Sequence, residues 1–161
     1  MVLETISTLF TTLSTAAGTT KAFKELLPNH RGDSRLLLEE LKKNATLCWL
    51  VVEREVEPWT AIEKMVTAAY DRLLEKDFDF NNLSPRKKKI AKVTRFEDSD
   101  LASFLGHDVA RLVESIYDRI KEMQLVYQVD PDNEKIDWNR RVINLHKRIL
   151  LLMSHLRGWS E

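Results

Sequence analysis

The segment Asp137–Trp159, DWNRRVINLHKRILLLMSHLRGW, decides the fold. Within it Trp138, Val142, Leu145, Ile149, Leu152, Leu156 and Trp159 recur at alternating four- and three-residue steps, which puts them on one stripe of an α-helix. Leu150, Leu151 and Met153 widen that stripe beyond the seam of a two-stranded coiled coil. A helix this broadly apolar belongs inside a bundle of several helices. Asp137 is the expected N-cap.

Working outward, Asp130, Pro131, Asp132 and Asn133 form a turn composition, preceded by a long helix from Asp108 to about Val129. Its inward positions are Val109, Leu112, Ile116, Met123 and Val126. Farther upstream, Asp33 or Ser34 caps a helix whose apolar positions are Leu37, Leu41, Ala45, Cys48 and Val52. Pro58 ends or kinks that element. A third helix starts near Trp59, with Ile62, Val66, Ala69 and Leu73 as its seam. The polar connection 77–84 is the weakest internal boundary, and Phe78 and Phe80 are expected to pin it to the bundle. Ser84 before Pro85 is a helix-start signal, so the basic run that follows is expected to be a short helix.

The first helix is expected over Leu3–Leu27, stopped by Pro28. It has an apolar row (Leu3, Ile6, Phe10, Leu13, Ala17) and a face of small hydroxyl residues, with no charge between Glu4 and Lys21. Such a helix is expected to touch something on more than one face, and Ser7, Thr8, Thr11, Thr12 and Thr15 form a candidate interaction face. The fold class is therefore all-α: a bundle of four to five long helices with a short helical insertion near residues 85–105, spanning 1–161 as a single domain. The expected core includes Leu41, Cys48, Val66, Leu112, Ile116, Leu145, Ile149 and Leu152.

Composition narrows the function classes. Twenty-five basic and 25 acidic residues cancel, so the chain has no overall field to attract nucleic acid or anionic lipid, and any such binding needs a local patch. One cysteine excludes an internal disulfide and fits a reducing compartment, hence a cytoplasmic expectation. No apolar run approaches the length of a membrane span.

No catalytic, metal or nucleotide signature is visible, so the reading leans away from an enzyme and names no catalytic residue, no metal ligand, no cofactor and no small-molecule ligand. His146 and His155 are nine residues apart on one helix, about half a turn out of phase, and cannot chelate one ion. The acidic turn at 130–134 lacks the glycine and the final glutamate of a calcium loop. Glu53, Glu55 and Glu57 read as a solvated helix end. Two basic features stand out. One is the run Arg86, Lys87, Lys88, Lys89, Lys92 and Arg95, a candidate patch for an anionic partner. The other is the last helix, with no acid between Asp137 and Glu161.

These observations lead to a non-catalytic intracellular interaction module, an adaptor or regulatory domain presenting helix faces to protein partners or to copies of itself. One alternative is a peripheral membrane-binding domain that uses the N-terminal helix. Another is nucleic-acid binding through the run 86–95, which the zero net charge disfavours.

Overall fold

In the computed structural model, residues 15–84, 87–92, 96–97 and 99–158 are described. The chain is an all-α bundle of α1 (Ala16–Leu26), α2 (Gly32–Arg54), α3 (Pro58–Lys64), α4 (Ala68–Glu75), α5 (Val109–Val129) and α6 (Trp138–Leu156). Short 3-10 turns cover Leu27–Asn29, Phe80–Leu83 and Ala102–Phe104.

Helix α2 is the hub, packing against α1, α3, α4 and α6, while α5 lies against α6 and α3. Its inward residues Leu37, Leu38, Leu41, Ala45 and Cys48 are fully buried. The seam of α6 meets them with Val142, Leu145, Ile149 and Leu152, also fully buried. On α5, Leu112, Ile116, Ile120 and Met123 complete the same core. Asp137 caps α6 by accepting a hydrogen bond from the Arg140 amide at 2.9 Å.

The element expected as one third helix is two. Helix α3 stops at Lys64, α4 begins at Ala68, and buried polar side chains from neighbouring helices take over the backbone groups freed between them. Fully buried Asn44 donates to the Val66 carbonyl at 2.8 Å and accepts from the Val66 amide at 2.9 Å. Glu40 accepts from the Ala69 and Tyr70 amides at 2.7 and 3.2 Å, serving as a remote cap for α4. Gln124 of α5 donates to the Ile62 and Met65 carbonyls at 3.0 and 2.9 Å, closing the end of α3. Val66 is consequently half-buried in the break, not in the core where helical spacing placed it.

Phe78 and Phe80 do anchor the 77–84 connection. Phe80 stacks on Tyr70, which stacks on Tyr117 with centroids 4.2 Å apart and planes 3° from parallel. Phe78 meets Phe80 edge-on at 5.5 Å.

The expected short helix over the basic run is not found among the described residues. Lys87–Lys92 is extended and pairs antiparallel with the segment before α5: Ile90 donates to His107 at 2.8 Å, Gly106 donates to Ile90 at 2.7 Å, and Val109 donates to Lys88 at 2.8 Å. Burial of Ile90 holds the strip down. Adjacent lysines in one helical turn would repel, whereas an extended strip spaces them.

Candidate functional site

Two surfaces gather chemistry. The first is a cleft of about 570 Å³ at the end of the bundle where α1 stops, the Phe80–Leu83 turn leads into the basic strip, and α6 ends. Pro28 lies inside the 3-10 turn that continues from α1, and His30 after that turn is in extended backbone at the mouth. There the ring bridges two elements: Nδ1 lies 3.1 Å from the Leu26 carbonyl and Nε2 3.1 Å from the Leu83 carbonyl. A neutral imidazole can donate to only one of these acceptors at a time.

Across the cleft, buried His155 of α6 directs Nε2 at the Lys87 carbonyl, 2.5 Å away. Burial lowers the basicity of His155, and the Lys87 ammonium adds to that effect, while the bond to the Lys87 carbonyl opposes it. The neutral ring with its proton on Nε2 is the form that donates to that carbonyl. Lys87 and Arg157 bring positive charge to the walls, and Arg157 also pairs with Glu25 of α1. Leu26, Leu83 and Leu156 supply apolar surface. No carboxylate is among the described lining residues.

The second surface lies at the opposite end of α6, around its junction with α5. Here α3 packs on α5 and α6 and presents Trp59, which is 43% exposed. Trp59 stacks nearly parallel on Tyr127, with centroids 6.5 Å apart and planes 7° apart. Tyr127 in turn meets Trp138 edge-on at 5.7 Å, and the Arg141 guanidinium lies 5.7 Å from the Trp138 ring centre. Leu125 and Val129, two residues either side of Tyr127 and so on another face of α5, are 62% and 77% exposed. Exposed charges of both signs adjoin Trp138 in the chain: Asp130, Asp132, Glu134 and Lys135 before it, Arg140 after it.

The residues singled out from the sequence fall as follows. Ser7, Thr8, Thr11 and Thr12 lie outside the described residues, as do Arg86 and Arg95. Thr15 has extended backbone and accepts from the Gly18 amide at 3.0 Å. It caps α1, so the helix expected over Leu3–Leu27 does not run through residue 15. Lys87, Lys88, Lys89 and Lys92 are all exposed on the extended strip. Asp100, which follows the run in the chain, pairs with Lys147 of α6 at 3.4 Å. Two cations of α6 meet partners on α5: Arg141 reaches Glu122 at 3.4 Å and Arg148 donates to the Ser115 hydroxyl at 2.8 Å.

Sequence reasoning missed His30 and Trp59, and it placed His155 without its cleft. Glu53, Glu55 and Glu57 are exposed and line none of the cavities described above. Cys48 is buried, and burial pushes its thiol pKa up, which disfavours the reactive thiolate. Among the described residues there is no cluster of His, Cys, Asp or Glu arranged to hold a metal ion, and no helix long and apolar enough to cross a membrane. Comparison with protein-family models, with curated proteins and with solved structures returns no match.

Proposed function

We propose that this chain is a non-catalytic interaction module of the cell interior, an adaptor or regulatory domain that binds protein through the surface around Trp59. The observation that carries the reading is the half-exposed indole of Trp59 stacked on Tyr127 of the adjoining helix. A large aromatic side chain left in water at that exposure gains most when a partner covers it, and aromatic residues dominate the energetic centres of interfaces. The free, buried thiol of Cys48 supports a reducing compartment.

A second copy of the chain is the occupant this surface fits. A twofold contact sets one patch against itself, so charges in it are matched when both signs are present, and the acidic turn 130–134 and the basic start of α6 adjoin Trp138 in the chain. Sedimentation velocity over a concentration series tests this directly. The wild-type chain is expected to form dimers, and Trp59→Ser to raise the dissociation constant by about tenfold or more, the range of an interface aromatic anchor. Thermal unfolding of the variant monomer should stay close to wild type, because Trp59 lies outside the core. A wild-type chain that remains monomeric into the hundreds of micromolar overturns the self-association reading.

One observation favours nucleic acid as a second reading. Among the described residues, Lys88, Lys89 and Lys92 close no ion pair and stand exposed on the strip. Binding to a mixed-sequence duplex should then fall steeply with salt, and the triple Lys→Gln variant at 88, 89 and 92 should abolish it. Absence of any salt-dependent binding removes this reading.

A further inference from the structure

We propose that the outer edge of the extended strip, at Lys89 and Ala91, is a docking site for an acidic, extended segment of a protein partner, which adds there as a β-strand. Neither Trp59 nor the side chain of Lys87 takes part in it.

The backbone pattern comes first. Along an extended chain, successive residues turn their N–H and C=O groups to opposite edges. Lys88 and Ile90 commit theirs to the segment before α5: the Lys88 carbonyl accepts from Val109, and Ile90 donates to His107 and accepts from Gly106. Lys89 stands opposite Asp108 in that antiparallel ladder, as a pair that exchanges no direct bond. Its own N–H and C=O therefore point the other way, and those of Ala91 follow by alternation. On the same edge the Lys87 carbonyl is already taken by His155, so the free row begins at Lys89. Among the described residues nothing bonds the backbone groups of Lys89 and Ala91. Backbone groups without a protein partner face water. Such a row is a template for an added strand.

The side chains set the charge of the partner. Lys88, Lys89 and Lys92 are exposed and close no ion pair among the described residues, and even Asp108, opposite Lys89, forms none with it. Like charges facing each other destabilise a strand pair, and edge lysines keep a strand from pairing with its own copies. A second copy of this strip is therefore repelled. A strand rich in aspartate and glutamate is attracted by the lysines and meets main-chain partners at the same edge. Nucleic acid can meet the ammonium groups, but it lacks the alternating donors and acceptors that continue a ladder.

Fluorescence anisotropy at low salt tests the proposal, with a short labelled peptide of alternating aspartate and valine as the probe. The control is the same peptide N-methylated at alternate residues, which keeps every carboxylate and loses the N–H donors of one edge. The unmodified peptide is expected to bind about tenfold or more tightly, the difference that one or two net hydrogen bonds supply. Ala91→Pro should weaken it by a similar factor while every lysine stays in place. Proline removes one outward N–H and is tolerated on an edge strand, and the bonds of Lys88 and Ile90 to the segment before α5 do not involve residue 91. A mixed-sequence DNA duplex should not distinguish that variant from wild type. Lys88→Gln combined with Lys92→Gln should flatten the salt dependence of peptide binding.

If Ala91→Pro does not fold, the two peptides on the wild-type chain decide the matter by themselves. Equal affinity for them overturns the proposal and reduces the attraction to surface charge. So does a folded Ala91→Pro variant that binds the peptide as wild type does. Binding of the duplex without binding of the peptide overturns it as well, and assigns the lysines to nucleic acid.

Discussion

Asn44→Ala is expected to cost about 2 to 4 kcal/mol of folding stability, because it strips partners from both the amide and the carbonyl of Val66 at once. For a chain of this length such a loss lowers Tm by roughly 5 to 15 °C. The effect comes from the break between α3 and α4. A helix that stops leaves amides and carbonyls without intrahelical partners, and in this bundle they are partly shielded from water. The side-chain amide of Asn44 matches the peptide of Val66 group for group, one donor to a carbonyl and one acceptor to an amide. Asn44→Leu restores volume but neither bond, so it should be about as destabilising as alanine. Asn44→Asp keeps an acceptor for the Val66 amide, loses the donor and adds a buried charge. Urea denaturation of the three variants separates these contributions. Stability of Asn44→Ala within about 0.5 kcal/mol of wild type, the range of ordinary surface substitutions, would show that the break is held by other means.

That break also marks where the sequence stopped being legible. The α6 seam was readable because Val142, Leu145, Ile149 and Leu152 repeat at helical spacing and are buried in the same order. For α2 and α5 the same reasoning holds except at their last expected positions, Val52 and Val126, which are half-buried. Ile62, Val66, Ala69 and Leu73 keep helical spacing too, and no glycine or proline interrupts them. Nothing local breaks that helix. Glu40, Asn44 and Gln124 do so from two other helices, and a tertiary partner of this kind leaves no mark on the broken segment itself. It did leave one on α2. Asn44 is seven residues from Leu37 and four from Cys48, so an amide sits on the buried stripe of that helix. A polar side chain in such a position needs a partner, and that signal could have been followed.

The basic run was legible in composition but not in conformation. Ser84 and Pro85 are a genuine helix-start pair, yet Ile90 is buried and the backbone around it pairs with the residues before α5. The cleft was less legible still. Its ring contacts join His30 to Leu83 across 53 residues and His155 to Lys87 across 68, separations that a reading by local periodicity does not span. Trp59 was placed as a helix start, and its exposure follows only from where α3 lies against α5 and α6.

Stability should fall as the pH drops from about 6.5 to about 4, and His146 should account for a loss on the order of 3 kcal/mol across that window. His146 is buried on α6, its Nε2 has no hydrogen-bond partner, and burial lowers its pKa to about 4. In the unfolded chain an ordinary histidine takes up its proton near pH 6.5. Between those two values the unfolded state holds the proton and the folded state does not, so acid favours unfolding. His155, also lowered by burial, acts in the same direction. Replacing His146 by leucine removes the titrating group and the unpartnered nitrogen while keeping an apolar side chain of similar reach. His146→Leu should therefore match or exceed wild type at pH 7.5 and exceed it clearly at pH 4.5, flattening the slope of stability against pH. Urea midpoints at pH 7.5, 5.5 and 4.5 measure that slope. Parallel curves for the two proteins would mean that folding does not keep His146 neutral, and that the acid sensitivity of the bundle arises elsewhere.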